Sequence, residues 1–140
     1  MLEKKNIVLG ITGGIAAYKA AELTREFVKR GASVHVIMTK NATAFLTPLT
    51  LQTLSGNPVY TDTFTLTGEW EIGHVSLAES ADAVVVAPAT ANFIGKAAAG
   101  IADDLLTTMI MATKAPVLIC PAMNVHMHAN AIVQENIAKL

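Results

Sequence analysis

A chain of 140 residues is long enough for one domain with a real core, and 52% hydrophobic against 15% charged residues leaves more apolar surface than a monomer readily hides. With a formal net charge of −1 and no cluster of Lys and Arg, it carries no electrostatic footprint for nucleic acid. No apolar run reaches the roughly eighteen residues of a membrane span, and one cysteine forms no internal disulfide, which fits a reducing, cytoplasmic setting.

The first six residues lead straight into a strand pattern without a signal-peptide cleavage site. Residues 7–12 (IVLGIT) are a short apolar, partly β-branched run closed by Gly13 and Gly14, which predicts a strand. Residues 16–30 place Ala20, Leu23, Phe27 and Val28 on a helical stripe, and Gly31 sits where a helix-ending glycine belongs. Residues 33–39 (SVHVIMT) predict a second strand, so the three pieces make a β-α-β unit with a right-handed crossover. Residues 41–46 and 48–54 predict two short helices, the second opened by Pro48, and 59–61 predict a small strand. The polar stretch 62–73 predicts a loop and 74–80 a short helix. Residues 83–87 (AVVVA) are apolar without alternation, as in a parallel strand covered on both faces. An Ala-rich helix broken at Gly100 is predicted over 91–113, a strand over 117–120 (VLIC) and a further helix from 132. This alternation predicts an α/β domain: a doubly wound, mostly parallel open sheet in three layers, flavodoxin-like or Rossmann-like.

Ligands of such sheets bind beyond the carboxyl ends of the strands. The segments found there are 12–16 (TGGIA), 39–41 (TKN), 88–92 (PATAN) and 121–124 (PAMN). The Gly13-Gly14 turn allows close backbone approach and aims helix-terminal amides at an anion, although an ordinary tight turn has the same composition. Neither G-x-G-x-x-G nor a P-loop is present, and the second strand ends in Thr39-Lys40 rather than an acid that would hold an adenosine ribose. A mononucleotide therefore fits better than a dinucleotide.

His74 has the titration range of a general base, or serves as a capping or surface histidine. His35, between Val34 and Val36, reads as structural. His126 and His128 flank Met127 at a spacing that does not converge on one metal, so no zinc site is expected. Asp103 and Asp104 point apart on a helix and read as caps. Cys120 reads as a small buried hydrophobe, and Met109 and Met111 as core or subunit interface.

Four segments together, GGIAAYK (13–19), His74 in GHVSLAESAD, PATANFIGKAAAGIADDLLTT (88–108) and PAMN (121–124), resemble the homo-oligomeric flavin-containing cysteine decarboxylases. Within that family the chain is most similar to the phosphopantothenoylcysteine decarboxylase branch, which occurs in a bifunctional coenzyme A biosynthesis protein. The resemblance runs over nearly the whole chain. It implies FMN at a subunit interface of a homotrimer or trimer-based dodecamer. It assigns FMN contacts to Gly13, Gly14, Ile15, Thr39, Asn41, Thr90, Ala91, Asn92, Phe93 and Ala122, the active-site histidine to His74, and the substrate carboxylate to Asn124.

The implied chemistry is oxidative decarboxylation followed by reduction. Two electrons leave the cysteinyl thiol end for the oxidised flavin, giving a thioaldehyde. The carboxylate β to C=S departs because its carbanion delocalises into sulfur, and the enethiolate is reduced to 4'-phosphopantetheine. Two departures stand out. The family continues PxMNxxMW, where this chain has His128 in place of Trp. Its substrate flap, with the cysteine that protonates the enethiolate, normally lies beyond Leu140. The expectation is thus one FMN-binding domain over 1–140, ending before that flap, with a fused phosphopantothenate–cysteine ligase domain as one continuation. Rival readings are a peptidyl-cysteine decarboxylase, a flavin prenyltransferase (in which His74 and PAMN have no place), a non-catalytic FMN-binding regulatory subunit and a plain nucleotide-binding module.

Overall fold

The structure is a computed structural model that describes residues 1–61 and 69–140, the side chains of 69–74 excepted. Among the described residues five strands form one wholly parallel sheet: β1 (Asn6–Ile11), β2 (Ser33–Met38), β3 (Val59–Tyr60), β4 (Ala83–Ala89) and β5 (Val117–Pro121). Their spatial order is β3-β2-β1-β4-β5. That is the Rossmann order rather than the flavodoxin order, with the reversal between β1 and β4. The expected doubly wound α/β class is what the chain adopts.

Alternation along the strands sends apolar side chains to both faces. Ile7, Leu9 and Ile11 of β1 join Val34, Val36 and Met38 of β2 in one core. This core is covered by α1 (Lys19–Lys29) and α2 (Pro48–Ser55), through residues such as Ala20, Phe27 and Leu51. Val8, Ile37, Val84 and Val86 face the other side. There they meet α3 (Glu69–Ser80), α4 (Ala91–Ala99), α5 (Leu105–Ala112) and α7 (Ala131–Lys139). Burial on both faces explains why β4 reads as an unbroken apolar run.

Helix ends follow local chemistry. The Gly31 amide donates to the Val28 carbonyl and the Ala32 amide to the Phe27 carbonyl, a Schellman closure that needs the positive φ of +90° at Gly31. Asp104 caps α5: its carboxylate accepts from the Thr107 amide at 2.8 Å, with the reciprocal Thr107 hydroxyl bond completing a capping box. The expected capping role of this acid is what the structure has.

Several elements differ from expectation, among them residues 41–46, of which Asn41–Ala44 form a 3₁₀ turn. Residues 15–18 wind as a 3₁₀ turn before α1, because no side chain caps the helix start and tighter i→i+3 bonds close the first turn instead. Helix α3 begins at Glu69, so the last part of the stretch expected to be loop is helical; the single Gly73 costs only about 1 kcal/mol and does not stop it. His74 accordingly lies within a helix rather than at its start. The expected loop over 62–68 lies outside the described residues. A four-residue helix, α6 (Val125–His128), was not expected; Asn124 caps it by accepting from the His126 amide at 2.8 Å.

Met109 is fully buried, whereas Met111 is 59% exposed. Cys120 is half-buried against the first core rather than enclosed. Among the described residues no helix is long and apolar enough to cross a membrane.

His35 is half-buried on β2, 3.2 Å from the Ser33 hydroxyl, and desolvation pulls its pKa below the ordinary value. The neutral ring is therefore favoured on folding, and protons bind the unfolded chain more readily. Stability is expected to be intact above about pH 6.5 and to decline as pH falls below it, levelling off under the folded-state pKa. Urea midpoints measured at pH 7.5 and 5.5 should show a smaller drop in His35→Gln than in the unsubstituted protein; an equal drop in both would assign the effect to another group.

Candidate functional site

The four strand tips converge because backbone bonds tie them side by side. The Thr39 amide donates to the Ile11 carbonyl (3.0 Å), joining the tips of β2 and β1. The Thr12 amide donates to the Pro88 carbonyl (3.3 Å), joining β1 to β4, and the Ala122 amide to the Ala89 carbonyl (3.1 Å), joining β4 to β5. Between these tips opens a cleft of about 1350 Å³ at the carboxyl edge of the sheet.

From the β1 turn the cleft takes Gly13, Gly14 and Ile15, and from the β2 turn Thr39 and Asn41. The β4 turn contributes Thr90, Ala91, Asn92 and Phe93, and the β5 turn Ala122 and Asn124. Every residue expected at the site, His74 apart, thus borders one space. The side chain of His74 lies outside the described residues.

Close packing shapes the floor. A Cβ placed on Gly13 would stand 2.4 Å from the Asn41 Cβ and 2.9 Å from the Asn41 carbonyl carbon, so the first two turns interlock only because position 13 has no side chain. Thr90 caps α4 by accepting from the Phe93 amide at 3.2 Å, which sets the start of that helix on the cleft wall.

Sequence reasoning missed the opposite wall. Lys96, Asp103, Asp104, Leu105, Leu106 and Thr107 also line the cleft. The Lys96 ammonium donates to both Asp103 oxygens at 2.9 and 3.1 Å. This hydrogen bond holds the Asp103 carboxyl below its usual pKa range, so the acid is ionised at neutral pH. Asp103 thus serves an ion pair, while the helix cap is Asp104. Lys40 and Thr43 add a cation and a hydroxyl near Asn41. Their only sequence signal was proximity to a strand tip.

The lining therefore offers apolar surface, chiefly Ile15 and Met123 with Met38, Phe93 and Leu106 nearly buried, small residues permitting close approach, and hydroxyls and carboxamides. That combination suits a planar heteroaromatic ring carrying a polyhydroxyl chain and an anionic end. Among the described residues no three His, Cys, Asp or Glu side chains gather as metal ligands.

A family model described as Flavoprotein matches residues 1–140. The chain belongs to the Flavoprotein family. Its cofactor is accordingly a flavin. The chain is 55% identical over 139 residues to the coenzyme A biosynthesis bifunctional protein CoaBC of Vibrio cholerae, covering 99% of this chain and 35% of the relative. To CoaBC of Bacillus subtilis it is 54% identical over 140 residues, covering 100% and 34%. The chain thus spans about a third of the length of the curated relatives it matches.

Among solved structures, this flavoprotein resembles the FMN-dependent cysteine decarboxylase TvaF from thioviridamide biosynthesis. The TM-score is 0.89 and the identity 31%, over 97% of this chain and 84% of that one. A PPC decarboxylase mutant complexed with pantothenoylaminoethenethiol matches with TM-score 0.82 and 33% identity, over 99% and 78%. The resemblance to flavin-containing cysteine decarboxylases read from GGIAAYK, GHVSLAESAD, PATANFIGKAAAGIADDLLTT and PAMN is borne out at family level.

Proposed function

We propose that this chain is an FMN-dependent decarboxylase domain that converts 4'-phosphopantothenoylcysteine to 4'-phosphopantetheine in cytoplasmic coenzyme A biosynthesis. The observation that carries the reading is identity above half, over the entire chain, to bifunctional coenzyme A biosynthesis proteins. The convergence of the TGGI, TKN, PATAN and PAMN turns on one cleft supports a shared site.

The cleft fits FMN. Ile15, Ala91, Phe93 and Ala122 would take the ring and its immediate neighbours, and the Gly13-Gly14 turn the anionic end. Thr39, Asn41, Thr90 and Asn92 would take the hydroxylated chain and the phosphate. Bound FMN supplies the two-electron oxidation and return reduction on which the reaction depends.

The polypeptide's part is placement and charge. The Asn124 carboxamide oxygen already accepts from the His126 amide, which leaves the nitrogen end to donate to a substrate carboxylate. His74 would move a proton at the reacting end.

The same reading includes a homo-oligomer, supported by exposed apolar residues such as Ile15, Val125, Met127 and Ile132. It also includes a ligase domain fused in the full protein, supported by the bifunctional name of relatives much longer than this chain.

The alternative reading, a decarboxylase of a cysteine at the end of a peptide, draws support from the TM-score of 0.89 to a cysteine decarboxylase of thioviridamide biosynthesis. The higher identity to the coenzyme A proteins places it second. The purified protein is expected to be yellow, to release FMN on denaturation, and to evolve carbon dioxide from 4'-phosphopantothenoylcysteine far faster than from a peptide cysteine. A colourless protein that takes up no added FMN, or one that prefers the peptide, would overturn the proposal.

A further inference from the structure

The β1–β4 ladder runs in register from Ile7↔Ala83 to Gly10↔Val86, and beyond it the two tips part to form the cleft. Pro88 has no N–H with which to continue that ladder. Thr12 does the joining instead. It is 2% exposed. Its hydroxyl donates to the Pro88 carbonyl at 2.5 Å and accepts from the Thr90 amide at 3.0 Å, so its donor and one acceptor site are both used inside the fold.

We propose that Thr12 is the positioning residue of the flavin cleft: its hydroxyl locks the Gly13-Gly14 turn to the start of α4 at a fixed separation. Both clamped segments are walls of the same space. Thr90, whose amide the hydroxyl holds, is also the residue that caps α4 through its own side chain. One oxygen thus ties the turn, the cap and the helix start together, beside the bond from the Thr12 amide to the same Pro88 carbonyl. Thr12 itself borders the cleft, and with its only proton engaged by Pro88 its hydroxyl acts on a ligand by holding the neighbouring turn and helix start in place. Valine has nearly the same shape, yet it would take from the half-buried Thr90 amide the partner it has in the fold. The inference rests on the FMN reading above and adds a residue to it.

Thr12→Val is expected to weaken FMN binding by about tenfold or more in a fluorescence-quenching titration and to alter the visible circular dichroism of the bound flavin at saturation. Thr12→Ser, which keeps the hydroxyl and drops only a methyl group, should restore both to near the unsubstituted values. The Thr90 amide should exchange with solvent faster in the valine protein than in the serine protein. A valine variant with unchanged affinity and dichroism overturns the clamp, and so does a serine variant that loses FMN as badly as Thr12→Ala. If the unsubstituted protein binds no FMN, the functional proposal fails, and Thr90 exchange in the serine and valine proteins decides the clamp independently.

Discussion

Replacing His74 by asparagine is expected to slow carbon dioxide release from 4'-phosphopantothenoylcysteine by about 10²–10⁴-fold, while the protein still purifies with its flavin. Asparagine keeps a planar polar group of similar reach but has no proton to exchange near neutrality. His74 sits in α3, an element separate from the four strand tips that border the cleft, so cofactor uptake should survive the change. The measurement is turnover together with flavin content per polypeptide. Full turnover with FMN bound would remove His74 from the chemistry. Loss of the flavin along with activity would instead make it a cradle residue.

The fold was legible because its signals are local. Residues 83–87 carry no polar alternation, and β4 is buried on both faces. Gly31 ends α1 with a positive φ. Asp104 caps α5 within three residues of itself. Half of the cleft was legible for the same reason: strand tips are read from strands, and the cleft lies at those tips.

What the sequence hid is the part created by chain segments meeting from a distance. Asp103, in the α4–α5 connection, pairs with Lys96 of α4 and borders the cleft, although its own neighbours read only as helix-capping sequence. Thr12 looks like the polar end of a strand, and its importance depends on Pro88 and Thr90, more than seventy residues away. The start of α3 was missed because a polar composition with glycine says loop, while the observed helix tolerates one glycine for about 1 kcal/mol. Local chemistry specifies caps and turns; packing decides which of them share a site.

Gly13 and Gly14 make a paired test of that packing. They are adjacent in sequence and both border the cleft, yet their surroundings differ. A Cβ on Gly13 would meet the Asn41 Cβ at 2.4 Å and its carbonyl carbon at 2.9 Å. The obstruction includes backbone of the neighbouring turn, which cannot swing aside as a side chain end can. A Cβ on Gly14 would have the Thr90 Cγ2 at 3.6 Å as its nearest neighbour, an ordinary contact, and the φ of −142° there suits any residue.

Gly13→Ala should therefore force the β1 and β2 turns apart. The expected cost is about 1–3 kcal/mol of stability, and FMN affinity should fall by roughly tenfold to a hundredfold as Asn41 and Thr39 move with their turn. Gly14→Ala should fold with stability within about 0.5 kcal/mol of the unsubstituted protein. Any loss of FMN in that second variant would then report a methyl group intruding where the cofactor approaches the backbone. Urea denaturation of the apoproteins, followed by flavin titration of each, separates the two effects. Equal stability for both variants would mean that the turns do not interlock through Gly13.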